Sequence, residues 1–326
     1  MAGSYLPENS AQRHSHLSKT HGLYSKLMDT LLTFYFEYIL KWSSRLPVPM
    51  CYKILLKTGH WFRNWKIYSA ATGFQGVLYH AEENLKTLLN ISPTMAKNIL
   101  HQFLAFESRY VLENNWLKTK NEKNIKNAFN QAAIEQLKIH LQNRQAIICT
   151  MHSANLFLMG ALLHIIGHHI TFMLAIIPEA IPNGANPLHQ NGIRMIMEWK
   201  EWQSLVPANM QAARQAISNG ASLILASDTP GYNQKGVLVT LFGQRFWVPV
   251  GAAKLAQEFQ LPLFVAIPWA KDVTSRYDLV IQEIDTSGTL QDVMAQVFQV
   301  AEQAILKNPS CWMGWLCLHL MADVSE

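Results

Sequence analysis

The chain has 326 residues, of which 49% are hydrophobic and only 15% are charged. These proportions exclude an intrinsically disordered chain, because disordered segments have few apolar residues and many charges. They allow a large buried core, and the length predicts one large domain or one domain with an appendage.

The formal net charge of +5 is concentrated at the start of the chain. Up to Lys66 there are nine Lys or Arg residues but only three acidic residues. A helical pattern from about Lys19 to Trp42 has leucines and aromatic residues on one side, and Pro47 and Pro49 separate it from a second predicted helix at 50–58. Aromatic residues among cations are typical of segments that lie on an anionic membrane surface.

We therefore predict a basic, aromatic, helical segment at residues 1–70 that associates with a membrane, and a main domain at residues 71–326. The alternative is a helical hairpin that packs on the main domain, and both can hold. No nucleic-acid recognition module is present, so we expect no nucleic-acid partner. The apolar stretch from Leu27 to Leu40 is too short for a spanning helix, and the start of the chain lacks the apolar region of a secretory signal.

The four cysteines are Cys51, Cys149, Cys311 and Cys317. They form neither a CxxC pair nor a zinc motif, which predicts a reduced intracellular protein. The sequence also lacks the GxSxG, P-loop and GxGxxG motifs of serine hydrolases, nucleotide triphosphatases and dinucleotide enzymes. We expect neither a metal nor a cofactor.

Hydrophobic periodicity predicts a helical first half and an α/β second half. The predicted helices of the first half cover 77–89, 92–114 and 125–141. The predicted strands of the second half are 146–151, 169–177, 221–226, 237–242, 246–248, 262–268 and 277–284, and its helices are 154–166, 187–202, 208–219, 250–259 and 289–306. This alternation predicts an α/β fold with a mainly parallel central sheet that is covered by helices.

Polar residues follow three of the predicted strands. His152 follows the first strand, Glu179 the second and Asp228 the third. Ligands bind beyond the carboxyl ends of the strands in open α/β sheets, so these side chains can converge. A histidine oriented by a carboxylate is a recurring arrangement in acyl transfer, where the imidazole deprotonates the attacking hydroxyl. Asp228 can equally cap the turn that Pro230 and Gly231 favour.

Ser153 and Asn155 stand between His152 and a predicted apolar helix. Either can cap that helix, and both can stabilise an oxyanion together with the N–H groups of its first turn. The alternative for His152 is a histidine that is buried and satisfied in the core.

Residues 227–269 read SDTPGYNQKGVLVTLFGQRFWVPVGAAKLAQEFQLPLFVAIPW. An Asp-bearing strand end, a Gly-rich loop, a Phe-Gly turn and a P-x-G-x-A-x-L-A helix start follow one another there. This order resembles the bacterial lipid A biosynthesis (lauroyl/myristoyl) acyltransferases. The segments ENLKTLLN, NPLHQNGIR and PSCWMGW also resemble family elements, so the resemblance covers nearly the whole chain, and residues 227–255 carry it most specifically.

The resemblance implies the fold of the glycerol-phosphate and lysophospholipid acyltransferase superfamily. It also implies an acyl-carrier-protein or acyl-CoA donor, an amphiphilic acceptor, and a cytoplasmic protein attached peripherally to the inner membrane. Arg194 stands at the position of a family arginine, which implies contact with an acceptor phosphate or carboxylate, although a solvated helix residue is the alternative. Lys235 and Gly236, at the tip of the Gly-rich loop, are candidates for contact with the donor or a phosphate.

The sequence departs from the family at the central motif, which is His, four residues, then Asp or Glu. His152 and Asn155 match the motif, but Phe157 stands where the acid belongs. Either Asp228 or Glu179 replaces the missing carboxylate, or the chemistry has been lost or changed. If an ancestral machinery remains, a Phe157→Glu substitution is predicted to raise activity, and no gain would indicate a rewired site.

The sequence therefore predicts an acyltransferase that moves an acyl group from a carrier thioester to a hydroxyl or amine of an amphiphilic acceptor. His152 is the predicted general base and Asp228 its catalytic carboxylate. The predicted substrate-binding residues are Asn155, Ser153, Glu179, Arg194, Lys235 and Gly236. The alternatives are an inactive lipid- or carrier-binding protein on the same fold, and a hydrolase of the same thioesters.

Overall fold

The computed structural model of the chain describes residues 38, 41–43, 45–54, 75–142, 144–174, 204–229, 236–318 and 321–322. Glu179, Arg194 and Lys235 lie outside the described residues, as do the predicted helix 187–202 and most of the predicted helix 19–42. The predicted domain boundary near residue 70 also lies outside them. Near the start of the described part, Lys41–Ser43 and residues 48–54 are helical.

Helices fill the stretch between residues 75 and 142. They are α1 (Gln75–Leu89), α2 (Pro93–Lys118), α3 (Glu122–Asn127) and α4 (Gln131–Leu141). Helix α2 begins where the Ser92 hydroxyl accepts a hydrogen bond from the N–H of Met95, and Pro93 takes a first-turn position that needs no N–H.

The prediction of one continuous helix over 125–141 is wrong, because α3 and α4 are separate helices. Phe129 forms a parallel backbone bridge with Tyr277 between them, and the N–H of Asn130 donates to the Tyr277 carbonyl at 2.8 Å. These long-range bonds replace the helical ones at the break. They also fix both helices to the residue just before the last strand of the sheet.

The second half alternates between strands and helices. Its strands are β1 (Ile147–Thr150), β2 (Ile170–Leu174), β3 (Ser204–Pro207), β4 (Ser222–Ala226), β5 (Val237–Leu241), β6 (Gln244–Val248), β7 (Leu263–Trp269) and β8 (Asp278–Ile284). Its helices are α5 (Leu156–Ile165), α6 (Met210–Ser218), α7 (Gly251–Phe259) and α8 (Leu290–Lys307), and two short 3₁₀ helices follow at Pro309–Cys311 and Met313–Leu316.

Six of the described strands form the central sheet, in the order β3-β2-β4-β1-β7-β8. The pairs β2–β3, β2–β4, β1–β4 and β1–β7 are parallel, and β8 joins the edge antiparallel to β7. Strand β1 is wholly buried, as parallel strands with covered faces are. The predicted α/β fold with a mainly parallel sheet is thus confirmed.

Apolar side chains pack on both faces of this sheet. One cluster joins α2, α3, α4 and α5 to the sheet through Ile148, Ile224 and Phe264, and the other joins α7 and α8 to it through Ile147, Cys149 and Leu223. Alternate residues of β1 therefore enter opposite cores, as the two-residue period of a strand requires.

Strand β3 is a difference from the sequence-based expectation. It has four residues, SLVP, at the edge of the described sheet, and it pairs with β2 from Thr171↔Ser204 to Leu174↔Pro207. The proline at its end is typical of an edge strand, since it cannot donate to a further neighbour. So short a run carries too little periodicity to be recognised.

The helical residues 48–54 pack on the main domain, because Cys51 and Tyr52 are buried in the core around α2 and α3. Trp42 and Met50 face outwards, with 60% and 51% of their surface exposed. None of the helices in the described ranges combines the length and the apolar character that a membrane crossing requires.

Candidate active site

His152 and Asp228 lie side by side at the carboxyl edge of the sheet. Thr150 and Ala226, the last residues of β1 and β4, are register partners in the parallel ladder. His152 and Asp228 each follow two residues later, so the two chains leave the sheet together. The Nδ1 atom of His152 lies 2.7 Å from Oδ1 of Asp228. The two catalytic residues predicted from the sequence are therefore brought together.

The Asp228 carboxylate is fully buried and accepts three hydrogen bonds from described residues. Oδ1 accepts the bond from the His152 ring, and Oδ2 accepts the backbone N–H of His152 at 2.8 Å and the indole Nε1–H of Trp312 at 2.7 Å. Such charge-assisted bonds offset the cost of burying the carboxylate. The sequence singled out neither Trp312 nor its bond; its only signal was the resemblance of PSCWMGW to a family element.

Burial and pairing act in opposite directions on the two titratable groups. Burial is the largest single influence and disfavours the charge of each, but the partners around each group together outweigh it. The pKa of His152 is raised above 6.5 by the Asp228 carboxylate, despite burial. The pKa of Asp228 is lowered below 3.8 by His152, Trp312 and the His152 backbone, although burial raises it. Asp228 is thus ionised near neutral pH, and Nδ1 of His152 carries the proton that it donates.

The imidazole is only partly enclosed. Its side chain is 36% exposed, whereas the Asp228 side chain is 0% exposed. Because Nδ1 is bound to Asp228, Nε2 is the ring nitrogen for an acceptor group. This is the geometry of a general base that a buried carboxylate orients.

The loop that carries His152 is held from several sides. The N–H of Ala154, a non-glycine residue with φ of 49°, donates to the Cys311 carbonyl at 2.7 Å. The Ser153 hydroxyl donates to the Pro268 carbonyl at 3.0 Å, and Ser153 is buried. The His152 carbonyl accepts the N–H of Met313 at 2.8 Å. The histidine therefore stands on a fixed backbone rather than on a free loop.

Asn155 caps helix α5, which decides between Ser153 and Asn155 as the capping residue. Its Oδ1 accepts the N–H of Leu158 at 3.0 Å. Its Nδ2 donates to Glu113 at 3.2 Å and to Asn114 at 3.4 Å, and the residue is completely buried. These bonds are those of a structural cap. The described contacts of Asn155 and Ser153 are internal, and substrate contact by either one stays a prediction.

Asn155 connects the active-site loop to a buried polar cluster around Glu113. The Glu113 carboxylate accepts hydrogen bonds from Tyr52 at 2.7 Å, from Arg109 at 2.7 Å and from Tyr277 at 2.9 Å. The Arg109 guanidinium lies between the two tyrosine rings, 4.1 Å and 3.7 Å from their centroids. Arg109 and Glu113 have no exposed surface. No pattern in the sequence indicated this cluster, because an Arg and a Glu four residues apart are typical of an exposed helix face.

Gly236 lies at the start of the hairpin β5–β6, which is a separate two-stranded antiparallel sheet. A Cβ atom at Gly236 would overlap the backbone carbonyl of Val248, so the position needs glycine for close packing of two backbones. The hairpin turns at Phe242 and Gly243, both with positive φ. Close packing of the two backbones is thus a structural reason for a glycine at position 236, and its contact with substrate stays a prediction.

Phe157, at the motif position of the missing acid, belongs to the core. It is 7% exposed, and its ring packs against Phe172, with 5.2 Å between the centroids. Of the two candidate replacements for the acid, Asp228 is the one that bonds to His152, and Glu179 lies outside the described residues. The carboxylate is therefore supplied by β4 rather than by α5.

Within the described ranges, no group of three or more His, Cys, Asp or Glu side chains is arranged to hold a metal ion. The four cysteines are free thiols, and burial raises the pKa of Cys149 and Cys311 to about 12. The chemistry that the described residues offer is that of an imidazole and a carboxylate.

Two comparisons with known proteins bear on the family of this chain. A search of curated proteins found no match to the chain. The model of the family described as bacterial lipid A biosynthesis acyltransferase matches residues 25–319, which include the whole central sheet, His152, Asp228 and Trp312. Because that match spans most of its length, the chain belongs to the bacterial lipid A biosynthesis acyltransferase family and is an acyltransferase.

Proposed function

We propose that this acyltransferase moves a fatty acyl group from an acyl-carrier-protein or acyl-CoA thioester to a hydroxyl or amine of an amphiphilic acceptor, with His152 as general base. The observation that carries the proposal is the 2.7 Å contact between His152 Nδ1 and the buried Asp228 carboxylate. Asp228, which follows strand β4, provides the orienting acid that this chain lacks at Phe157.

In the proposed reaction, Nε2 of His152 takes the proton of the acceptor hydroxyl while its oxygen attacks the thioester carbonyl. A C–O bond forms, and the carbonyl becomes a tetrahedral oxyanion. When the oxyanion collapses, the C–S bond breaks and the imidazolium returns the proton to the leaving thiolate. Asp228 stays ionised throughout, holding the ring in one tautomer and stabilising the imidazolium.

Substrate contacts are proposed at the remaining predicted residues. Arg194 would bind an acceptor phosphate or carboxylate through its planar fork of donors. Glu179 would contribute a polar contact, and Lys235 and Gly236 would contact the donor or a phosphate.

We further propose that the face around Trp42 and Met50 lies on an anionic inner-membrane surface. Arg45 and Lys53, which are close to them in the sequence, are exposed as well, and the sequence from Tyr38 to Ile54 contains no acidic residue. Aromatic and apolar side chains enter the interfacial region while cations attract anionic lipids. An amphiphilic acceptor embedded in the same surface would thereby be brought to the enzyme.

Acyl transfer from labelled dodecanoyl-acyl carrier protein and from dodecanoyl-CoA tests the proposal. The acceptors are a lipid A precursor with free hydroxyl groups, a lysophospholipid and an amphiphilic amine in mixed micelles. Wild type is expected to form a labelled acyl lipid, and His152→Ala is expected to lose at least about 10² of that rate. Equal rates for wild type and His152→Ala would overturn the assignment of the base, and labelled free fatty acid as the main product would indicate hydrolysis instead.

A further inference from the structure

The Asp228 carboxylate is bound on its second oxygen by a residue from the far end of the chain. Trp312 donates its indole Nε1–H to Oδ2 of Asp228 at 2.7 Å, and only 1% of its surface is exposed. A tryptophan satisfies its apolar burial anywhere in a core, but its single donor needs a specific acceptor. Here that acceptor is the carboxylate that holds His152.

The segment around Trp312 is fixed to the loop of His152 by its backbone as well. Ser153 and Trp312 form an antiparallel bridge. The N–H of Met313 donates to the His152 carbonyl at 2.8 Å, and the N–H of Ala154 donates to the Cys311 carbonyl at 2.7 Å. The indole is therefore positioned relative to His152 and Asp228 together.

Close packing leaves the indole ring little room to move. A Cβ atom added to Gly314 would overlap the ring carbons of Trp312 and would lie only 2.7 Å from its Nε1. On other sides the ring meets Trp315 edge-on, with centroids 4.8 Å apart, and Phe242 at 6.0 Å. Gly314 thus permits the position in which the indole N–H points at the carboxylate.

We propose that Trp312 is a positioning residue of the acyl transfer reaction, whose indole N–H fixes the carboxylate of Asp228 in the rotamer that orients His152. Without the indole, both oxygens of the carboxylate would still be bonded, but to His152 alone, so the carboxylate and the imidazole could shift together. The Trp312 N–H on Oδ2 fixes the pair to a third residue. The inference rests on the proposed role of His152 as general base and extends it to a third side chain.

The indole also sets how much negative charge the imidazole experiences. A donor on Oδ2 partly neutralises the carboxylate, so removal of that donor leaves more uncompensated charge beside the ring and raises the pKa of His152. Among the described residues, the other titratable groups whose pKa is affected by the charge of Asp228 are the thiols of Cys149 and Cys317. Burial raises the pKa of both to about 12, so neither carries charge at working pH.

The test compares Trp312→Phe with Trp315→Phe in the full-length protein. Both variants replace a buried indole by a phenyl ring. The Trp315 Nε1–H donates to the Pro309 carbonyl and not to Asp228, so Trp315→Phe is a matched control. Gly314→Ala is a second variant, which displaces the indole while keeping it. The measurements are kcat and KM for dodecanoyl transfer to the lipid A precursor, the melting temperature, and the pKa of His152 from a ¹³C NMR titration assigned with His152→Asn.

Trp312→Phe is expected to lower kcat about tenfold with KM nearly unchanged, as for loss of one bond to a charged group. It is also expected to move the pKa of His152 upwards. Gly314→Ala is expected to lower kcat as well. Trp315→Phe keeps an aromatic ring against the Trp312 indole and leaves the bond to Asp228 in place, so it is expected to change kcat and the pKa of His152 much less than Trp312→Phe does. In an Asp228→Asn background, Trp312→Phe is expected to cost nothing further, because both changes act on one interaction.

The inference is overturned if Trp312→Phe matches Trp315→Phe in both kcat and the pKa of His152, or if its effect is fully additive with Asp228→Asn. A failure of the proposed function gives a different result, which is equal transfer rates for wild type and His152→Ala. The NMR titration reports on Trp312 even in that case, since it requires no turnover.

Discussion

Asp228 holds His152 twice, through the ring nitrogen Nδ1 at 2.7 Å and through the backbone N–H at 2.8 Å. Each bond uses a different carboxylate oxygen, so the plane of the carboxylate spans the histidine from main chain to ring. Asp228, which follows the neighbouring strand β4, thereby joins the imidazole to the backbone of the same histidine. Loss of that carboxylate should therefore affect catalysis far more than folding.

Asp228→Asn is expected to lower kcat by roughly 10³ to 10⁴, because an amide cannot stabilise the imidazolium and can favour the wrong tautomer. The measurement is dodecanoyl transfer at saturating acceptor. Asp285→Asn is the matched control, since Asp285 is an exposed aspartate that accepts from the N–H of Ser287 beyond the end of β8. A loss of kcat in Asp228→Asn no greater than in the control would contradict the proposed catalytic dyad of His152 and Asp228.

The pH dependence follows from the raised pKa of His152. A general base works when neutral, so kcat/KM is expected to fall as pH decreases through a pKa that lies above 6.5, the ordinary value for histidine. The measurement is kcat/KM against pH with one donor and acceptor pair. An acid limb centred below 6.5 would contradict the proposed role of the pair.

Stability is expected to have the opposite pH dependence. Because the pKa of His152 is raised in the folded state, its protonated form stabilises the folded protein. This stabilisation is complete below the pKa of the unfolded state, and it is lost as the pH rises through the pKa of the folded state. The difference in melting temperature between wild type and His152→Asn should therefore be larger near about pH 6 than near about pH 9. A difference that grows with pH would show that the imidazole is not paired with a carboxylate in the folded protein.

Phe157→Glu is expected to bring no gain in activity, although the family motif has an acid at this position. Asp228 already occupies the Nδ1 side of the imidazole, and a carboxylate at 157 would enter the apolar core next to Phe172. The free energy of unfolding should fall by about 3 kcal/mol or more. Phe157→Leu, which remains apolar, is the control for lost volume, and a rise in kcat in the glutamate variant would contradict this expectation.

Arg109→Met is expected to destabilise the fold by about 3 to 5 kcal/mol, because it leaves the Glu113 carboxylate buried without its cation. Urea unfolding measures the change. Arg214→Met is the control, because it removes an exposed pair with Glu258 whose N–O distance is similar, at 2.6 Å. The urea midpoint of this variant should stay close to that of wild type. Similar midpoints for the two variants would mean that the buried pair contributes no more than a surface pair.

Membrane binding is expected to depend on the exposed face near the start of the described chain. Trp42→Ala combined with Met50→Ala should lower the affinity for phosphatidylglycerol vesicles by roughly tenfold, because two apolar side chains are removed from the interface. Co-sedimentation with the vesicles measures this affinity. Met95→Ala, which removes a methionine that is 54% exposed on α2, is the control. Unchanged binding in the double variant would place the contact elsewhere.

The predictable part of the site was the part that lies on strand ends. The apolar runs that end at His152 and Asp228 predict strands whose carboxyl ends can meet at one edge of the sheet. That these two strands are neighbours, with equal offsets from Thr150 and Ala226, is seen only in the ladder. Trp312 could not be predicted in the same way. It stands in an apolar stretch without periodicity, and its partner is 84 positions away along the sequence.

The cluster around Glu113 shows the same limit for charged residues. Arg109 and Glu113 have the spacing of a solvated ion pair, and only the packing of Tyr52 and Tyr277 from other segments makes them buried. Hydrophobic periodicity describes which residues face a core, but it does not identify charged side chains that are neutralised inside one.

The hydrogen bond from Trp312 has a consequence for biosynthesis. A ribosome delivers the chain from its N-terminus, so β1, β4 and both members of the dyad are made long before residue 312. A nascent chain that ends after Lys307 contains the whole central sheet but cannot provide the indole donor or the backbone bonds of the 309–316 segment to the histidine loop. Such a chain lacks the indole donor on Oδ2 of Asp228, so it is expected to transfer acyl groups more slowly than a chain that includes residues 309–316.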